Sequence, residues 1–226
     1  MTLAENYAVV RQRMEDAIAL SGRKDNVKII GITKTRTPEE IDQLLTVGID
    51  TIGENRIQEL VDKYDKINSC FDIQVVGQLQ TNKVKYTIDR VSCIQSLDRT
   101  ALAEEIDKRA CAKGRVMDVL VEVNLTGNPD RGGVEPAGVV DFCDGLGAYG
   151  GLRLKGLMAV APRDIPAEAR RGVFAQVYGL YCRVRDRHPD ADRLSMGMSS
   201  DYYEAILEGA TEIRLGTALF GKREKI

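Results

Sequence analysis

The stretch VKIIGITKTRTPEE, residues 27 to 40, joins an apolar, β-branched run to a helix start. Val27, Ile29, Ile30 and Ile32 read as a short buried strand. Thr37 reads as an N-cap, Pro38 takes the first helical position, and Glu40 closes a capping box. Lys34 therefore stands where strand hands over to helix. Two readings of it are open from this segment: a lysine that snorkels its ammonium into solvent at a strand end, or one held at the mouth of a pocket to form a Schiff base.

Outward from this unit the same alternation repeats. Strand candidates fall at 27–33, 50–53, 73–77, 91–95, 117–124, 153–160, 192–196 and 211–216. Between them run helical spacings, such as Ile57, Leu60, Val61 and Tyr64, or Leu102, Ala103 and Ile106. Eight strand-helix alternations favour a (β/α)8 barrel of the TIM type over an open doubly wound sheet, which stays as the alternative. Leu3, Tyr7, Val10, Met14 and Ala17 add a helical stripe ahead of the first strand. No linker or composition shift divides the chain, so residues 1–226 read as a single domain.

Composition narrows the function. Lys plus Arg number 32 against 34 Asp plus Glu, and this balance offers no electrostatic footprint for nucleic acid or an anionic membrane surface. No apolar run is long enough to span a bilayer and the first residues mix charges, so we expect a cytoplasmic protein. The five cysteines are scattered without a CxxC pair and read as reduced and mostly buried. His188, the only histidine, reads as a solvated helix terminus. Metal-site spacing and a Ser-His-Asp triad are absent from the sequence.

In a barrel the C-terminal strand ends make the working face. There the chain delivers Lys34, then "GEN" (53–55), "GQLQTNK" (77–83), "GLMAVAP" (156–162), "SMGMSSD" (195–201) and "RLGTALFG" (214–221). Ser199 and Ser200 precede a helix and could cap it or bind an anion, while Gly216 and Thr217 precede a short apolar piece that reads as a small extra helix. Loops after strands seven and eight with such a helix are the usual phosphate site of these barrels. Arg214 shares a strand face with Gly216, and an arginine pointing into a barrel needs a partner or ligand; the alternative is an outward arginine meeting a helix carboxylate. A strand-end lysine, an inward arginine and a phosphate cradle match pyridoxal 5'-phosphate. A phosphate-substrate isomerase or lyase would give the lysine no reason to face an arginine.

The segments GITKTRTPEEI, GENRIQE, VGQLQTNK, GLMAVAP and LSMGMSSDYYEAILEGATEIRLGTALFG resemble the signature blocks of the pyridoxal phosphate homeostasis protein family, in order and across essentially the whole chain. The resemblance implies a barrel like the N-terminal domain of alanine racemase, with pyridoxal phosphate as an internal aldimine on Lys34. It implies phosphate contacts from Ser199, Ser200, Gly216 and Thr217, Arg214 at the pyridine nitrogen, and Asn55 and Met196 near the cofactor. It further implies a carrier and regulator of the cofactor in vitamin B6 homeostasis, with little or no catalysis and transient hand-over to apo pyridoxal phosphate enzymes; we expect a monomer, though the sequence itself leaves the oligomeric state open. An amino-acid racemase is the alternative; racemases of the resembling type draw a tyrosine from an additional β domain, and Tyr202 and Tyr203 read instead as packing or capping residues. One departure stands out. Where family members often carry a lysine before a glycine, this chain has Arg131, which can hold a phosphate but cannot form a Schiff base.

Overall fold

In the structure, a computed structural model that describes residues 1–24, 26–128, 131–162 and 165–221, all eight expected strands form. They are β1 (Lys28–Ile32), β2 (Thr51–Glu54), β3 (Asp72–Val75), β4 (Cys93–Leu97), β5 (Met117–Val123), β6 (Leu152–Ala159), β7 (Arg193–Met198) and β8 (Glu212–Leu215). Each pairs in parallel with its neighbours in chain order, and β8 closes onto β1, with Lys28 opposite Glu212 and Gly31 opposite Leu215. The sheet is a closed (β/α)8 barrel. An open sheet would have left β1 and β8 as unpaired edges.

The helices are α1 (Leu3–Leu20), α2 (Pro38–Asp42), α3 (Ile57–Lys63), α4 (Thr100–Ala112), α5 (Val139–Gly145), α6 (Ala167–Arg187), α7 (Tyr202–Leu207) and α8 (Thr217–Phe220). Helix α2 starts as its sequence dictates: the Glu40 N–H donates to Thr37 Oγ1 at 3.3 Å and the Thr37 N–H donates to Glu40 Oε2 at 2.9 Å. It then tightens into a 3-10 segment, Gln43–Val47, ended by Gly48 in the left-handed region. The β3–β4 crossover holds a 3-10 segment, Thr81–Tyr86, in place of an α-helix. Thr81, Asn82, Val84 and Tyr86 are poor helix formers, which favours the short tight turns. Helix α1 buries Val10, Met14 and Ala17 and lies against α7 and α8, where the Asn6 side-chain amide donates to the Leu219 carbonyl at 2.8 Å.

The larger core lies between strands and helices. Ile41, Leu60, Leu102, Ile106, Phe174 and Val184 from the helical layer meet Ile52, Val75, Val119, Leu157 and Ile213 from the strands. Each fully buried aliphatic side chain here stabilises by roughly 1.5–3 kcal/mol. The barrel interior is different in kind. Gln74 on β3 accepts a hydrogen bond from Arg193 on β7 at 2.7 Å, so this contact between strands four apart crosses the lumen. Arg193 also pairs with Glu212 at 2.6 Å, and Gln95 donates to both Gln74 (2.8 Å) and Glu212 (3.0 Å). Cys93, Leu120 and Met158 form a small apolar patch apart from the larger core.

Two expectations are corrected in detail. Cys93 and Cys143 are buried but Cys70 and Cys111 are exposed, and all five cysteines are free. His188 does end α6, yet its ring is not simply solvated: Nε2 lies 2.9 Å from Asp144 Oδ1, and Asp144 also pairs with Arg187. These two partners hold the Asp144 carboxyl below its ordinary pKa. Among the described residues, no helix is long and apolar enough to cross a membrane.

Candidate functional site

Chain ends of β1, β7 and β8 meet at the C-terminal mouth of the barrel, around a cavity of about 300 Å³. Its walls are Ile32, Lys34, Met198, Ser199, Ser200, Arg214, Gly216 and Thr217. Six of the eight residues singled out from the sequence are therefore brought together: Lys34, Ser199, Ser200, Arg214, Gly216 and Thr217. The alternation on β1 explains the first wall. Gly31 turns toward Leu44 and Ile49 of the outer layer, so Ile32 turns inward and Lys34 follows it onto the mouth.

Arg214 points inward and is only 4% exposed. It donates through Nη1 to the Ser195 carbonyl (2.8 Å) and hydroxyl (2.7 Å), and through Nη2 to the Ala159 carbonyl (2.7 Å). No carboxylate pairs with it among the described residues. Burial pulls its pKa down to about 10, opposed by the more distant charges of Glu122, Asp201 and Glu212. The guanidinium is thus fixed in place by neutral oxygens, with its charge left for the cavity.

Ser199 resolves the choice between capping and anion binding in an unexpected way. Its Oγ accepts N–H bonds from Gly216 and Ala218, both at 3.1 Å, so it caps α8 across the gap between strands and not the helix that follows it in sequence. A serine oxygen that accepts twice still has its own O–H to donate. Ser200 and Thr217 are exposed at the rim, and the Ser200 carbonyl accepts from Arg170 at 3.3 Å.

Asn55 and Met196 do not line the cavity. Asn55 sits just beyond β2 with Oδ1 buried and without a hydrogen-bond partner, an acceptor that a ligand donor could satisfy. Met196 is fully buried in the layer between barrel and helices, and Met198 takes the place at the cavity wall. Met196 faces outward by ordinary alternation from Ser195, whose hydroxyl meets Gln95 in the lumen, and a bulge in β7 then returns Met198 to the cavity. Register to β8 shifts between Ser195 and Met198, and Gly197 occupies φ 92°, where an added Cβ would lie 2.6 Å from the Ala205 Cβ. Counting by twos through that extra residue inverts the faces; the glycine inside a strand was the available signal.

The cavity combines Lys34 and Arg214 with three hydroxyls and the apolar faces of Ile32 and Met198. That set suits an anionic ligand with a flat apolar body and a carbonyl within reach of an amine. Two other lysines near strand ends are held outside the cavity. Lys63 is buried against Glu54 at 2.7 Å, and Lys155 pairs with Asp192 at 3.2 Å. Tyr202 is buried and both Tyr202 and Tyr203 lie under Arg13, at 5.5 and 5.6 Å, consistent with packing roles.

A second, smaller hollow of about 40 Å³ at the mouth is lined by Glu122, Asn124, Arg131, Gly132 and Val160, among others. Asn124 organises its loop by donating to the Asn128 and Arg131 carbonyls at 2.9 and 3.2 Å; Pro129 and Asp130 lie outside the described residues. Burial raises the Glu122 carboxyl to about 7, helped by Asp98 and opposed by Arg214. Its folded value lies above the unfolded one, so the native state holds the extra proton between about 4.5 and 7 and stability falls as pH rises through that window. In ligand-free protein, Glu122→Gln is expected to leave stability near pH 4 almost unchanged, below the window in which the wild type loses stability. Near pH 8 it should raise stability by on the order of 3 kcal/mol, read from urea midpoints at the two pH values.

The comparisons with known proteins agree with this geometry. The family model described as alanine racemase, N-terminal domain, matches residues 2–224. The pyridoxal phosphate homeostasis protein of Aquifex aeolicus is 39% identical, covering 99% of this chain and 100% of its own. The homeostasis protein of Pasteurella multocida is 32% identical, with 99% of each covered. The structure of PipY from Synechococcus elongatus with PLP bound superposes with a TM-score of 0.82 at 30% identity, over 97% of this chain and 100% of that one. Alanine racemase of Clostridium difficile shares the fold at 15% identity and a TM-score of 0.75, with 57% of that longer chain covered. A barrel closed in chain order, with a lysine beyond its first strand and relatives matched along their whole length, leaves one assignment: the chain belongs to the alanine racemase N-terminal domain family.

Proposed function

We propose that the protein binds pyridoxal 5'-phosphate, and that it carries and regulates this cofactor as a vitamin B6 homeostasis protein. The observation that carries the reading is the cavity of about 300 Å³ at the barrel mouth that joins Lys34, Arg214 and the Ser199, Ser200, Gly216 and Thr217 loops. The homologues named as pyridoxal phosphate homeostasis proteins and the PLP-bound PipY structure support it. When bound, the cofactor supplies an aldehyde that condenses reversibly with an amine.

The chain's own residues divide the work. Lys34 supplies the amine. Ser199, Ser200 and Thr217 offer hydroxyls, and the Thr217 backbone completes a cradle for phosphate, with Gly216, whose own N–H is held by Ser199, shaping the turn into α8. Arg214 is the partner for the pyridine nitrogen; a guanidinium donates a hydrogen bond there but holds its proton, and an unprotonated ring is a poor electron sink. Asn55 supplies the buried acceptor oxygen at the β2 end. Met196 supports the site from behind the β7 bulge. A site of this make-up holds an aldehyde better than it transforms an amino acid. The protein in this reading is a cytoplasmic monomer that hands its cofactor to apo pyridoxal phosphate enzymes.

The test begins with colour. Purified protein loaded with the cofactor should be yellow, and borohydride reduction with peptide mapping should put the adduct on Lys34. Ser200→Ala and Thr217→Ala should each weaken binding by on the order of 1.5–3 kcal/mol while the fold persists. Pyridoxal without its phosphate should bind far less tightly; equal affinity for the two vitamers would remove the cradle from this site. A chiral assay over a panel of amino acids, set beside transfer to an apoenzyme, separates carrier from racemase.

A further inference from the structure

Helix α3 grips the backbone on both sides of Lys34. Lys63, in its last turn and 7% exposed, donates to the Thr33 carbonyl at 2.8 Å and pairs with Glu54 at 2.7 Å. The Thr33 hydroxyl donates to the same Glu54, and both residues are buried. On the far side of Lys34, the Thr35 N–H donates to Glu59 Oε2 at 2.8 Å. Glu59 and Lys63 are one helical turn apart and 4.0 Å from each other. None of Glu54, Glu59 or Lys63 lines the cavity.

Thr35 shows why a grip is needed. Its φ is 64°, the one positive φ outside glycine among the described residues. A β-branched residue in that region is strained by about 1–3 kcal/mol and stays there only where its surroundings hold it. A buried ion pair kept for stability alone would have no call to reach the Thr33 carbonyl, and such pairs are weak stabilisers against an apolar replacement.

We propose that Glu59 and Lys63 are positioning residues: they fix the peptide groups of Thr33 and Thr35 so that the Lys34 stem leaves the backbone toward the cavity in a reactive direction. This rests on the cofactor reading above. Condensation of the Lys34 amine with an aldehyde forms a C=N bond and releases one water, with no change of oxidation state. The rate depends on how the amine approaches the carbonyl carbon, and a four-carbon stem on a loose backbone approaches it in many wrong ways. Binding through ring and phosphate depends on other residues and should not share this sensitivity.

Two ligands and two variants test the clamp. Covalent capture of pyridoxal phosphate is followed by borohydride trapping and mass spectrometry; affinity for pyridoxine phosphate, which has an alcohol in place of the aldehyde, is measured in parallel. Glu59→Ala should slow capture about tenfold and leave pyridoxine phosphate affinity unchanged. Glu59→Gln keeps an acceptor oxygen for the Thr35 N–H and should stay within about twofold of wild type. Capture by Glu59→Ala at the wild-type rate, or a parallel loss of both ligands, overturns the clamp alone. Wild-type capture away from Lys34 overturns the cofactor reading and takes the clamp with it.

Discussion

Lys34→Ala is expected to abolish covalent retention of pyridoxal phosphate, reducing the borohydride-stable adduct from about one per chain to none. The expectation follows from where the other amines are. Lys63 is locked between Glu54 and the Thr33 carbonyl, and Lys155 donates to the Asp190 carbonyl and pairs with Asp192. Neither lines the cavity, and Lys34 is the only lysine that does among the described residues. The hydroxyls, the Gly216 loop and Arg214 survive the substitution, so weak reversible binding should persist. Gel-filtered variant protein should therefore be colourless and deliver cofactor to an apoenzyme no faster than free cofactor does. An undiminished adduct found on Lys83 or Lys155 would remove Lys34 from its assigned role.

Much of this site was legible because its parts obey local rules. Lys34 lies at a strand end that is followed by a capped helix, and Thr37, Pro38 and Glu40 form the expected box. Arg214 and Gly216 both reached the cavity, as the period of two requires. What escaped the sequence depends on closure or on broken periodicity. Gly197 adds a residue to β7, so Met198 faces the cavity where unbroken alternation would have turned it away; Met196 lies in the outer layer by ordinary alternation. Lys63 lies inside the helical spacing of Ile57, Leu60, Val61 and Tyr64 and drew no reading of its own, since nothing in that spacing says that its ammonium crosses to the Thr33 carbonyl. The polar lumen was equally hidden. Gln74 and Gln95 lie on the neighbouring strands β3 and β4, but their contacts with Arg193 on β7 and Glu212 on β8 exist only because the sheet closes.

That lumen network links the barrel floor to the site, and its keystone is the Arg193–Glu212 pair. Gln95 Nε2 donates to Glu212 at 3.0 Å, the Ser195 hydroxyl donates to Gln95 Oε1 at 2.7 Å, and Arg214 Nη1 donates to the Ser195 hydroxyl at 2.7 Å. Glu212 is 4% exposed and receives both Nε (2.6 Å) and Nη2 (3.1 Å) of Arg193. Arg193→Met removes the cation but leaves the carboxylate in the lumen, with Gln95 as its remaining side-chain donor among the described residues. Breaking one side of a buried pair in this way costs about 3–5 kcal/mol, and the urea midpoint of Arg193→Met should fall accordingly. The double variant Arg193→Met with Glu212→Leu removes both charges at once and should recover most of that loss, because matched apolar replacements of buried pairs are near neutral. Recovery in the double variant identifies the stranded carboxylate as the cause; a double variant as unstable as Arg193→Met would assign the loss to packing. In both variants the Ser195–Arg214 contact remains, so cofactor affinity measured well below the unfolding midpoint should change far less than stability does.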